Sequence, residues 1–357
     1  MSGLSLPQGL EQSLQSTKVD YVQLGSSGLR VSWPILGAMG FASSPIVPWC
    51  LGEEAAFKVL KAAYDIGINT WDTSNVYSNG GSEEVLGKFL RTFGIPRYKV
   101  VIMTKCAFAV GEEPTAMGHA FGEQMGRSKD YVNQGGLSRV AIFKAVDDSL
   151  ARLGASYIDL LQIHRYDPTV PPEEIMKALH DLVQSGKVRY IGASSMWATK
   201  FAQLQYLAEK NHWTKFISMQ NYYNLCYREE EREMIRFCKE TGVGLIPYAP
   251  LLAGRLARPV GQGTSQRSKG PYAHTRGLGP VDEQIIGRVE DVAAKKGWKM
   301  AEVALAWQKS KGTIPIVGLN SVERVEEIRN LQGKVLTDED VKYLEELYEA
   351  KPVTGHS

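Results

Sequence analysis

Short apolar runs alternate along this chain with longer stretches in which apolar positions recur every three or four residues. The short runs are WPILGAM, INTWDTS, VVIMTK, IDLLQIH, VRYIGAS, FISMQN, VGLIPYA and TIPIVGL. Each has strand length and is apolar on both faces, so each predicts a strand covered on both sides, as in a parallel sheet. Between them lie segments of helical period: EEAAFKVLKAAYDIG, SEEVLGKFLRTFG, SRVAIFKAVDDSLARLG, PPEEIMKALHDLVQSGK, ATKFAQLQYLAEKN, REEEREMIRFCKETG, a pair within 282–311, and SVERVEEIRNL. Ser82 before two glutamates, Pro171-Pro172, and Gly67, Gly154, Gly186 and Gly242 mark helix starts and stops. About eight β-α repeats predict an α/β fold, best met by a closed (β/α)8 TIM barrel; an open doubly wound sheet is the structural alternative. Ahead of the repeats, YVQLGSSGLRVS predicts a β-hairpin turning at Gly25 to Gly28. The division expected is a polar tail over 1–18, one domain over 19–350 and a short tail over 351–357.

Two connections are too long for ordinary barrel loops: 107–137, and 251–281 with Arg255, Arg258, Arg267, Lys269 and Arg276 and no acidic residue. Both follow strands, and in a barrel they fall on the face where active sites are built. Charge changes the picture little. Forty-one basic and 39 acidic side chains leave a net +2, giving no global attraction for nucleic acid or anionic lipid. The four cysteines form no C-x-x-C, and no apolar run reaches membrane-spanning length, so a cytoplasmic protein without a metal centre is expected; oligomeric state is not legible. No G-x-G-x-x-G follows the first strand, and Gly242 and Gly244 meet Pro247 where a third glycine belongs.

Candidate chemistry gathers at strand ends: Asp72, Lys105 and His164, with Tyr77 in the loop after Asp72. A phenol is a weak acid, but an adjacent ammonium favours the phenolate left when its proton departs. Lys105 is placed to be that ammonium, Asp72 its counter-charge, and His164 a neutral donor; together they suit proton delivery to a carbonyl oxygen. The companion hydride must come from a nicotinamide cofactor, since no side chain supplies one. Singly, each residue also has an ordinary reading, as a turn cap, a packed aromatic, a snorkelling lysine or a core histidine.

DTSNVYSNGGSEEVLG, VVIMTK, LARLGASYIDLLQIHRYD, VRYIGAS, SMQNYYNL and GVGLIPYAPLLAGRL resemble the motifs of the aldo-keto reductases, and the resemblance extends from the hairpin to SVERVEEIRNL. It implies a barrel closed at its bottom by the hairpin, with NADPH extended over the top. It also implies Tyr77 as proton donor, Asp72 and Lys105 tuning it, and His164 orienting the carbonyl. For the cofactor it implies contacts from Ser194, Ser195, Gln220, Tyr248, Leu251, Gly254, Arg255, Arg258, Asn320, Arg324 and Glu327. Ser195, Asn320 and Ile328 depart from the family pattern, which is usually asparagine, often basic and often asparagine at these three places. Phe41, Trp49, Phe108 and Tyr131 are expected to line an aromatic mouth for a small-molecule carbonyl, aromatic or polyketide-like. Within the family the chain is similar to fungal aryl-alcohol dehydrogenase-like and versiconal hemiacetal acetate reductase-like members. Two other readings stay open: a cofactor-sensing binding protein like the potassium-channel β-subunits, and a barrel lyase with a Schiff-base Lys105.

Overall fold

The computed structural model describes residues 5–45, 47–263 and 278–356. A hairpin of β1 (Asp20–Gln23) and β2 (Arg30–Trp33) precedes eight parallel strands: β3 (Ile35–Gly37), β4 (Thr70–Asp72), β5 (Val101–Cys106), β6 (Ile158–Ile163), β7 (Val188–Ser194), β8 (Phe216–Gln220), β9 (Gly244–Leu245) and β10 (Ile316–Gly318). They pair in the order β10-β3-β4-β5-β6-β7-β8-β9. The remaining gap is closed by backbone bonds from Ile314 N to Leu245 O and from Ile316 N to Pro247 O, each 2.9 Å. The sheet therefore curls into a barrel, and all eight expected strands are in it.

The helices between the strands cover the barrel with one apolar face each. In Pro172–Gln184, proline at the first turn and Glu173-Glu174 suit the helix start. Ile175, Met176, Ala178, Leu179 and Leu182 recur at helical spacing and are buried. The hairpin turn wedges into the base of the barrel. Ser26 N donates to Gly242 O at 2.7 Å, and Gly25 has φ +58°. A Cβ added to Gly25 would lie 2.3 Å from Gly242 O, so both the turn and the close approach require glycine.

Four segments differ from the pattern reading. The polar tail contains a helix, Gln8–Ser16, with no buried residue, and a further helix spans Asp338–Glu345. Ser82 does not cap its helix: Gly81–Thr92 starts one residue earlier from left-handed Gly80. The Ser82 hydroxyl instead joins Thr73 Oγ1 and Ala38 O, both at 2.8 Å. The short tail after 350 is docked on the barrel rim. Lys351 N donates to Glu229 at 2.7 Å, Thr354 N to the Tyr227 hydroxyl at 2.9 Å, and His356 Nε2 meets Glu230 at 2.7 Å. Among the described residues, no helix is long and apolar enough to cross a membrane.

Candidate active site

The C-terminal ends of the strands open into a cavity of about 1110 Å³ running across the top of the barrel. Its floor is a polar layer shared by four strands. Lys105, wholly buried on β5, donates from Nζ to Asp72 Oδ2 at 2.6 Å, to Thr73 O at 2.8 Å and to the Tyr77 hydroxyl at 3.3 Å. Asp72 Oδ1 accepts from Gln162 of β6 and Gln220 of β8, both at 3.0 Å. Burial alone would push the Lys105 pKa down, but Asp72 and Tyr77 outweigh it and hold it above its ordinary value. Lys105 is therefore an ammonium, and an ionised pair so deep requires the hydrogen bonds that surround it.

Tyr77 is fixed by an unusual turn. Ser78 and Asn79 follow it at φ +48° and +51°, a conformation costing about 1–2 kcal/mol for each non-glycine residue. Side-chain bonds offset that cost. Ser78 Oγ reaches Ala42 O at 3.0 Å, and Asn79 Nδ2 donates to Gly111 O at 2.8 Å while its Oδ1 accepts from Gly111 N at 3.0 Å. Gly111 belongs to the long 107–137 connection, so this loop and the tyrosine turn brace each other.

His164 stands edge-on to Tyr77, ring centroids 5.9 Å apart, and to Phe108 at 5.4 Å. Its Nδ1 lies 3.2 Å from Ser74 Oγ. Burial, reinforced by Lys105, Arg165 and His119, pushes its pKa well below the ordinary imidazole value. The imidazole is therefore neutral at physiological pH. An unfolded histidine titrates near ~6.5 and so binds more protons than the folded one as pH falls through that value. Stability should accordingly drop on acidification below about pH 6.5, by up to about 1.4 kcal/mol per pH unit from this group. Urea unfolding at pH 7 and 5.5 should show a shallower loss in His164→Gln; equal slopes would contradict a neutral buried His164.

Most other candidates line the same cavity: Trp49, Phe108, Ser194, Gln220, Tyr248, Leu251, Gly254, Arg255, Arg258, Asn320 and Arg324. Ser194 Oγ donates to Gln220 O at 2.9 Å. Ser195 reaches the Tyr248 hydroxyl at 3.5 Å from a backbone at φ +41°, a region that asparagine tolerates better than serine. Burial raises the Tyr248 pKa, keeping the phenol neutral. Tyr248 also packs against Tyr222 at 5.5 Å, forming an aromatic wall.

Other expectations are corrected. Phe41 is 1% exposed and belongs to the barrel core rather than the mouth. The Tyr131 hydroxyl accepts from Glu112 N within its own loop, which uses it as a brace. Glu327 pairs with Lys299 at 2.8 Å away from the cavity lining, and Ile328 is buried in the core, so neither side chain is among those lining the cavity. Arg267, Lys269 and Arg276 lie outside the described residues. The 107–137 connection contains the helix Gly118–Met125 and contributes Phe108, Met117 and His119 to the wall. Pattern reading missed Gln162, Ser74, Arg165 and the tail residues Lys351, Pro352 and Thr354. Gln162 and Arg165 flank His164 in QIHR, where strand alternation already placed Gln162 on the same side as His164.

The sequence profile of the Aldo/keto reductase family matches residues 35–349. The chain belongs to this family. An aldo-keto reductase of Fusarium vanettenii is 54% identical, covering 99% of this chain and 98% of its own length. The versiconal hemiacetal acetate reductase of Aspergillus parasiticus is 49% identical over 94% of this chain and 98% of its own. A Schizosaccharomyces pombe protein with a provisional aryl-alcohol dehydrogenase name is 50% identical over 94% and 97%. This aldo-keto reductase is thus an oxidoreductase acting on carbonyl or alcohol groups.

Proposed function

We propose that this aldo-keto reductase uses NADPH to reduce an aldehyde or ketone to its alcohol, with Tyr77 as the proton donor. The observation that carries the reading is the hydrogen-bonded path from Asp72 through Lys105 to the Tyr77 hydroxyl, ending beside a neutral His164 in the cavity. Bound NADPH would supply the hydride. The described residues fit such a cofactor. Arg255, Arg258 and Arg324 line the cavity near β9 and β10 without a carboxylate partner among the described residues, a cluster suited to phosphate groups. Tyr248, Ser194 and Gln220 would hold the nicotinamide end.

The side chains then divide the remaining work. Tyr77 and His164 donate to the substrate oxygen; for His164 this needs the tautomer in which Ser74 donates to Nδ1 and Nε2 bears the proton. As charge develops on that oxygen, Tyr77 releases its proton, and the Lys105 ammonium at 3.3 Å stabilises the phenolate. Asp72 holds Lys105 in place, and two glutamine amides hold Asp72. The same bonds weigh against a Schiff-base role, because a protonated, fully buried lysine offers no free amine.

The cofactor assignment is tested by calorimetry with NADPH and NADH together with an oxidation assay on an aldehyde and ketone panel. Arg324→Ala should weaken NADPH binding more than NADH binding, by about 10-fold for the loss of a charge-assisted contact. Equal weakening of both would remove Arg324 from the 2′-phosphate site. Failure of the wild type to oxidise either cofactor despite tight binding would instead favour a cofactor sensor.

A further inference from the structure

We propose that Arg165 anchors an acidic group on the substrate, so that the preferred carbonyl compounds carry a carboxylate. The inference rests on the reductase reading above and adds a substrate class to it.

Arg165 follows His164 directly and lines the cavity. Its guanidinium makes one hydrogen bond, from Nη1 to His164 O at 2.6 Å, and has no carboxylate partner among the described residues. An arginine has five N–H donors in a rigid fork, so most of this fork remains for a ligand. It adjoins His164 in the chain, bonds that residue's carbonyl and lines the same cavity, which puts it at the end where the substrate carbonyl would sit.

The inventory of charges along the cavity isolates it further. Asp72 is matched by Lys105, and Asp282 by Lys351. Arg255 and Arg258 follow β9, and Arg324 follows β10, which lies across the barrel from β6. Those three suit the phosphates of an extended cofactor; Arg165, at the far side after β6, is left without a counter-charge. The cavity it lines also takes Trp49, Phe108, Met117 and Tyr248 into its wall, largely apolar surface that strengthens any pairing made within it. One free fork matches one carboxylate in charge and planar geometry, whereas a phosphate dianion would leave a negative charge unmatched.

The test pairs phenylglyoxylate and 3-carboxybenzaldehyde with their methyl esters, read as NADPH oxidation. The wild type should favour each acid over its ester in kcat/KM. In Arg165→Gln that acid-to-ester ratio should fall about 10- to 100-fold, the loss expected for a charge-assisted pair, with partial return in Arg165→Lys. A wild-type preference for the esters, or an equal change in acid and ester on substitution, overturns the proposal. A readout free of any variant is inhibition of neutral aldehyde reduction in the wild type. Benzoate should inhibit more strongly than benzamide, and the reverse order overturns the anchor. If neither these probes nor any neutral aldehyde is reduced, calorimetry with phenylglyoxylate separates the two readings: Arg165-dependent binding keeps the anchor and removes the reductase, and Arg165-independent binding removes the anchor.

Discussion

Tyr77→Phe is expected to lower kcat by about 10²- to 10⁴-fold, the usual contribution of a positioned general acid, while NADPH still binds. The change deletes one oxygen from the cavity wall. It removes one of three acceptors from the Lys105 ammonium and leaves Asp72 and Thr73 O in place. The bracing of the turn through Ser78 and Asn79 does not pass through the hydroxyl, so the fold should persist and circular dichroism should match the wild type. Single-turnover and steady-state rates on one good aldehyde, beside a fluorescence titration with NADPH, separate chemistry from binding. Turnover within a few-fold of wild type would discard Tyr77 as the donor.

The second large effect concerns the ion pair beneath it. Lys105→Met should abolish turnover and also destabilise the protein by about 3–5 kcal/mol, because Asp72 is left as a buried charge without its cation. Adding Asp72→Asn should recover most of that stability. The asparagine is neutral, and its Oδ1 still accepts from Gln162 and Gln220. Activity should not return with it, since the phenolate would still lack a neighbouring ammonium. Urea denaturation and NADPH oxidation on the wild type, both singles and the double therefore read two quantities from one cycle. Recovery of activity along with stability would mean that Lys105 only supports the barrel.

The barrel was legible because its strands are apolar on both faces and its helices have one apolar stripe, a pattern that local sequence carries in full. Asp72, Lys105 and His164 were legible for the same reason: they close strand-length runs, so topology converges them. Residues that work through contacts distant in sequence left less trace. Phe41 and Tyr131 have the composition of a substrate mouth, yet one packs into the core and the other braces a loop, a choice made by tertiary neighbours. The tail after 350 looks like a polar end, but its bonds run to residues more than 120 positions away. Gln162 was readable from alternation alone, and its purpose was hidden because Asp72 lies 90 residues earlier.

The polar layer of Asp72, Lys105, Gln162 and Gln220 ties together β4, β5, β6 and β8, so the proposed proton-delivery machinery is also a structural cross-brace. The side walls, by contrast, come largely from connections: Trp49 before the first barrel helix, Phe108, Met117 and His119 from the long loop after β5, and Pro352 and Thr354 from the docked tail. On the proposed mechanism, chemistry and selectivity are therefore carried by separable parts. A protein engineer seeking new substrates, or a lineage drifting toward them, can rewrite the walls piece by piece at little risk to foldedness. Any change to the floor puts catalysis and folding at stake together.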